Sequence, residues 1–156
     1  MFSETTTSID LKNILISLYP KYDCHVIAVD QLKSIKPQMN QIIICNLQTS
    51  KDKGSHWVLC LCVDKRFVEY MDTFAVPPDD RVLSFLRQFK NNNIVDDLIM
   101  TTKIVQNFKN SWCGWGVLIY TNFRIKKHEQ PYIAINNMND KNIVSYGRSL
   151  TKKYIL

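Results

Sequence analysis

The sequence predicts one domain that mixes α-helices with β-strands, and three observations carry that reading. Residues 41–47 and 57–63 are apolar on both faces, as strands in the middle of a sheet are. Two other stretches, from Leu11 to Leu18 and from Val82 to Phe89, repeat their apolar residues at steps of three and four, as amphipathic helices do. A chain of 156 residues is also too short to split into halves that could each bury enough surface to offset their chain entropy, so residues 1–156 are read as a single unit.

Taken in order, Ser8 stands as a cap before Leu11, Ile14, Leu15 and Leu18, and Pro20 stops that first helix. A short β-branched strand follows at 26–29, then a loop around Pro37, then the strand at 41–47. The runs at 57–63 and 67–71 are parted only by Asp64, Lys65 and Arg66, a break short enough for a hairpin. Pro77 and Pro78 end the extended chain, Asp79 or Asp80 caps a helix with the stripe Val82, Leu83, Phe85, Leu86 and Phe89, and three asparagines close it. A short strand at 101–106 leads into a polar loop. A buried helix is expected from Cys113 or Gly114 to about Phe123, and a terminal helix, interrupted by Gly147, from about Asn139.

Composition narrows the class. Hydrophobic residues at 46% and charged residues at 22% exclude a disordered or fibrous chain. The first ten residues are polar without a basic-then-apolar leader, and no apolar run approaches the roughly 18 residues of a membrane span, so a soluble, unexported, intracellular protein without membrane association is expected. Five cysteines, an odd number without CxxC spacing, point to a reducing compartment. The net charge of +6 favours polyanions such as DNA at low salt, in a nonspecific way because the Lys and Arg residues are scattered. The local cluster Arg124, Lys126 and Lys127 reads as a solvated face.

Chemistry gathers at four positions. A hairpin turning about Asp64 sets His56 directly across from Asp72, with Cβ atoms about 4.5 to 5.5 Å apart, near enough for an imidazole N–H to reach a carboxylate. That carboxylate would fix the tautomer of the imidazole and leave its other nitrogen to act as a base; the bland alternative is a structural bond at the rim, and a slip of one residue would part the two. Cys113 lies where a polar loop meets an apolar helix, and the unpaired N–H groups of a helix start favour a thiolate. Gly114 and Gly116 leave room for a substrate backbone, and Gln106 can offer a side-chain amide to an oxyanion, with the Cys113 N–H as second donor. A cysteine before a glycine in an apolar helix is otherwise just a small core residue, which suits Cys24, Cys45, Cys60 and Cys62. Cys60 and Cys62 share a strand face with His56, yet their spacing lacks zinc-knuckle geometry and a fourth ligand, so no metal is expected. His25 and His128 have no evident partners and read as structural or surface residues.

Gly54-Ser55-His56-Trp57, then Met71-Asp72-Thr73, then Gln106 followed seven positions later by Cys113-Gly114, together resemble the site of adenain, the adenovirus maturation protease, in its order of His, acid, Gln and Cys. Similar proteases occur in polinton-like viruses, adintoviruses and virophages, and the segment Val26-Ile27-Ala28-Val29-Asp30 also resembles theirs, so the resemblance spans most of residues 22 to 120. The SUMO-specific Ulp proteases share the His-Trp, Asp and Gln…Cys-Gly pieces; the seven-residue step suits adenain, whereas Asp72 stands where adenain has Glu and matches Ulp. The resemblance implies an α+β, papain-like cysteine proteinase fold of adenain/Ulp type, with a mixed central sheet flanked by helices. It implies a thiol endopeptidase with Cys113, His56, Asp72 and Gln106 as catalytic residues. Trp57 and Gly114 would border the substrate, Trp57 as a packing residue that shields the base from water. It further implies a monomer that needs no cofactor, is open to activation by DNA or a viral peptide, and cuts capsid and core precursors beside small residues in the infected-cell nucleus or cytoplasm and the virion. The alternative is a Ulp-like deubiquitinase or SUMO or NEDD8 isopeptidase acting on host modifiers.

Overall fold

The computed structural model describes residues 6–48, 56–106 and 111–155. Gly54 and Ser55 of the His-Trp motif, and residues 107–110 of the polar loop before Cys113, lie outside the described residues.

Helix α1 spans Ser8–Leu18, and its cap is Thr7, one residue before the expected Ser8. Thr7 Oγ1 accepts the Asp10 N–H while the Asp10 carboxylate accepts the Thr7 N–H, a reciprocal box that satisfies two donors at once. Five strands then lie side by side in chain order: β1 (Asp23–Ala28), β2 (Gln41–Asn46), β3 (Trp57–Asp64), β4 (Phe67–Met71) and β5 (Asp97–Met100). The sheet is mixed, with β3 antiparallel to both β2 and β4 and the outer pairs β1–β2 and β4–β5 parallel. A parallel pair needs a crossover, and a 3-10 helix at Val29–Ser34 supplies part of the one between β1 and β2; it takes Val29 out of the expected strand.

The double-sided apolar runs have a simple cause. Alternate residues of a strand face opposite sides, so Ile42 and Ile44 enter one core while Ile43 and Cys45 enter another. The first core is filled by α1, α3 (Cys113–Ile125), α4 (Pro131–Asn136) and α5 (Asp140–Tyr154), and the second by α2 (Asp80–Asn91) with Val82, Phe85, Leu86 and Phe89. The sheet is thus covered on both faces, a three-layer α+β arrangement. Asp79 caps α2 by accepting the Arg81 and Val82 N–H groups, and Asn93, at φ 59°, turns the chain out of it.

Several expectations need correction. The strand expected at 101–106 forms earlier, as β5, where an acidic start and half-exposed edge position hide the apolar alternation. Residues 101–106 instead run irregularly beside the end of β4, with Thr101 N–H donating to Tyr70 O and Val105 N–H to Thr73 O. Helix α4 carries no clear signal in the sequence, although Pro131 occupies its first turn, where a missing N–H costs nothing. Gly147 does not interrupt α5, because burial of Ile143, Leu150 and Gly147 itself offsets the roughly 1 kcal/mol that glycine costs a helix. His25 does have a partner: its Nε2 lies 2.8 Å from Asp23 Oδ2 on the same face of β1.

Arg124 does not belong to a solvated basic face. Its side chain is 6% exposed and pairs with Glu69 of β4, itself 1% exposed, through Nε to Oε1 and Nη2 to Oε2, both at 2.8 Å. Tyr120, one turn earlier on α3, donates its hydroxyl to the same Oε1 at 2.6 Å, and Arg124 Nη1 donates to the Glu129 carbonyl. A bidentate pair buried between helix and strand fixes both the height and the rotation of α3 on the sheet. Lys126 and Lys127 remain exposed, each with its ammonium over a ring, Tyr19 and Phe123 respectively.

Candidate active site

The β3–β4 hairpin sets a base beside an acid, though not in the expected register. The turn is made by Lys65 and Arg66, so Asp64 opposes Phe67 rather than standing at the apex. A bulge follows, and beyond it Leu61 opposes Glu69 and Leu59 opposes Met71. An offset of one residue would have flipped every side chain to the other face; the bulge makes the offset two, which preserves the face. Continued past the strand ends, this register sets His56 opposite Phe74, and the two rings stack at 4.9 Å with an interplanar angle of 27°. Asp72 meets His56 on the diagonal, with Nε2 2.8 Å from Oδ1.

Asp72 is held from several sides. Its Oδ1 also accepts the Phe74 N–H at 2.8 Å, its own N–H donates to Thr101 Oγ1, and its carbonyl accepts the Ala75 N–H in a turn where Ala75 takes φ 56°. The carboxylate is 2% exposed, and Oδ2 is buried without a hydrogen-bond partner among the described residues. Such confinement costs free energy and is tolerated where it fixes a functional group.

Cys113 is the first residue of α3, and among the described residues no side chain caps that helix at its N-cap Trp112, so the N-terminal dipole is directed toward the sulfur. The Trp57 N–H donates to Cys113 Sγ at 3.4 Å, and the same sulfur is near enough to the His56 ring to help raise its pKa. With Nε2 on Asp72, the nitrogen that serves Cys113 is Nδ1, so imidazole bridges carboxylate and sulfur. Cys113 is 4% exposed and the His56 side chain 17%. Burial alone would lower the imidazole pKa, but the hydrogen bonds and charges of Asp72 and Cys113 outweigh it and raise His56 to about 9. The other four thiols behave oppositely: burial pushes Cys24 up to about 11, Cys45 and Cys62 up to about 12, and Cys60 upward as well, which keeps them protonated at neutral pH.

Gln106 is buried, and Thr73 donates its hydroxyl to Gln106 Oε1 at 2.5 Å. The space beside the two glycines is filled by threonines: a Cβ on Gly114 would strike Thr6 Oγ1, and one on Gly116 would lie 2.5 Å from Thr73 Cγ2. The absent side chains therefore admit close packing onto α3, which corrects the expectation that they open room for a substrate backbone. Trp57 is half-buried and packs against the α3 core, with its main chain on the sulfur. Three contributors escape the sequence reading: Phe74, which the correct register finds; Thr101, whose surroundings read as a strand; and the main-chain donor of Trp57, which no residue type signals. Cys60 and Cys62 lie in the α2-side core, and among the described residues no group of three His, Cys, Asp or Glu side chains is placed to hold a metal ion.

The raised His56 pKa predicts its own titration. Because the folded value lies above the ordinary 6.5, ionised His56 stabilises the fold fully below about pH 6.5, and that contribution is lost as pH rises through about 9. Imidazole resonances followed by NMR are expected to titrate near pH 9 in the native protein and to move down toward 6.5 in Asp72→Asn; an unmoved midpoint would show that the carboxylate does not hold the charge.

No protein-family profile and no curated protein matches this sequence. Solved structures do. The ASFV pS273R protease superposes with a TM-score of 0.73 at 14% identity, covering 94% of this chain and 67% of that one, and a second structure of it gives 0.69 at the same identity, covering 95% and 68%. The SUMO protease Ulp1, with its catalytic cysteine oxidised to a sulfonic acid, gives 0.55 at 15% identity, covering 92% and 72%. The mixed sheet, the helices on both of its faces and these superpositions together establish that the chain has the Ulp/adenain type of cysteine-protease fold.

Proposed function

We propose that the chain is a cysteine endopeptidase of viral maturation type. The observation that carries this reading is the line Asp72–His56–Cys113, with the sulfur on the first residue of α3. A thiolate at Cys113 attacks the scissile carbonyl carbon, and the electron pair of the C=O bond moves to oxygen, where the Cys113 N–H and the Gln106 amide receive it. Protonated His56 gives its Nδ1 proton to the leaving amine as the C–N bond breaks, leaving a thioester. His56 then takes a proton from water, hydroxide displaces the thiolate through a second oxyanion, and the carboxylic acid product departs. Asp72 keeps the imidazole in the required tautomer and balances its charge throughout. A cavity of about 370 Å³ between β4, β5 and α4 is lined by none of these four residues.

The substrates assigned by this reading are capsid and core precursor polypeptides, cut beside small residues in the infected cell and the virion by a monomer that needs no metal or organic cofactor. The charge of +6 supports DNA as an activating surface, and a short viral peptide is the other candidate activator. The likeness to Ulp1 supports a second reading, an isopeptidase for ubiquitin-like modifiers. Incubation with co-encoded capsid precursors, followed by mass spectrometry of new termini, is expected to show cuts flanked by small residues. Intact precursors, together with labelling of Cys113 by ubiquitin, SUMO or NEDD8 vinyl sulfone, would establish the second reading instead.

A further inference from the structure

Thr73 connects three parts of the site that the chain supplies from distant positions. It follows Asp72 directly, its hydroxyl donates to Gln106 Oε1 at 2.5 Å, its carbonyl accepts the Val105 N–H at 2.9 Å, and its methyl Cγ2 fills the space beside Gly116 in the first turn of α3. Thr73 is fully buried, and Gln106 is 3% exposed. A glutamine amide has two chemically opposite ends that a pocket can exchange by rotation about one bond, and only the NH2 end can donate to an oxyanion. The Thr73 hydroxyl donates to the carbonyl end, and the amide is planar, so the NH2 end points away from Thr73. The Val105 contact holds the main chain on one side of Gln106, and the Thr73 hydroxyl on Oε1 anchors the amide in the orientation that turns its NH2 end away from Thr73.

We propose that Thr73 is the positioning residue of the oxyanion hole: its hydroxyl sets the orientation in which the Gln106 amide meets the developing negative oxygen. The inference rests on the assignment of Gln106 as an oxyanion donor. Thr73 itself touches no reacting atom. Its two side-chain branches have separate tasks, hydroxyl to Gln106 and methyl to Gly116, and they can be removed separately. Thr73→Val keeps a branched shape and loses the hydroxyl; Thr73→Ser keeps the hydroxyl and loses the methyl.

The test uses the whole chain, iodoacetamide and a peptide aldehyde ending in Gly-glycinal. Iodoacetamide alkylates the thiolate without forming an oxyanion, so its rate at Cys113 reads the sulfur and His56 alone. The aldehyde adds reversibly to the same sulfur, its carbonyl oxygen takes the charge or proton of the adduct, and protection of Cys113 from alkylation measures its affinity. Thr73→Val is expected to weaken aldehyde protection about tenfold and Gln106→Ala about a hundredfold, with the bare alkylation rate unchanged in both. Thr73→Ser is expected to restore protection, and Thr73→Val added to Gln106→Ala is expected to weaken it no further, since the hydroxyl then has no amide to orient. Unchanged protection in Thr73→Val alongside weakened protection in Gln106→Ala overturns the role of Thr73 and leaves that of Gln106 standing. Unchanged protection in Gln106→Ala overturns both. A Thr73→Val protein that loses alkylation rate as well as protection, without rescue by serine, overturns the positioning role in favour of a packing one.

Discussion

Replacing Cys113 with alanine is expected to lower peptide cleavage on the order of ten-thousand-fold or more while leaving the melting temperature nearly unchanged. The two halves of that expectation have different sources. Cleavage by this route needs a covalent bond between the acyl carbon and sulfur, and no other thiol can substitute, because Cys24, Cys45, Cys60 and Cys62 are held in the thiol form by burial and lie elsewhere in the fold. Stability depends little on the sulfur. Its contacts are weak ones, with the Trp57 N–H at 3.4 Å and with His56, and the helix it begins is held on the sheet by the apolar side chains of α3 and by Arg124. Cys113→Ser is expected to be nearly as inactive, since a hydroxyl does not ionise against an imidazolium as a thiol does. Product formation by mass spectrometry and thermal melting by circular dichroism check the two parts; a folded alanine variant that cleaves at the native rate would remove the nucleophile.

Breaking the Glu69–Arg124 pair from one side is expected to cost about 3 to 5 kcal/mol, which for a domain of this size lowers the melting temperature on the order of 10 °C. Glu69→Met leaves the Arg124 guanidinium buried without its carboxylate and Tyr120 without an acceptor; Arg124→Met leaves the Glu69 carboxylate with only the tyrosine hydroxyl. The double substitution, which buries neither charge, is expected to be more stable than either single variant. The consequence reaches the active site, because Cys113 and Arg124 lie at opposite ends of one helix. A shift of about 1 Å at a reacting centre costs on the order of a hundredfold in rate, so the single variants are expected to lose kcat even well below their melting range. Equal stability of the single and double variants, read in parallel denaturation curves, would show that the pair does not hold α3.

Much of this site was legible in the sequence because its parts are local. His56 and Asp72 are joined by a hairpin, and a hairpin aligns its ends whatever the rest of the chain does. The register was read wrongly, yet an error of two residues keeps the face, and the bulge that converted an odd offset to an even one left no sign in the residue types. Cys113 at the head of a helix was readable from the change of a polar loop into an apolar run. Less legible were features that depend on what lies across the fold. Arg124 beside two lysines looks like surface until Glu69, 55 positions away, arrives on the facing strand. Gly114 and Gly116 look like openings until Thr6 and Thr73 fill them. The edge strand β5 was missed because only half of it is covered, so its pattern is weak by construction.

The most direct test of the pairing of Cys113 with His56 is iodoacetamide alkylation of the native protein across pH, resolved cysteine by cysteine by mass spectrometry and repeated in His56→Ala. The geometry predicts that Cys113 is modified first among the five thiols at and below neutral pH, and that this advantage collapses when the imidazole is removed. If Cys113 reacts no faster than the other four thiols, or reacts equally fast without His56, then imidazole and sulfur do not work as a pair and the peptidase reading falls.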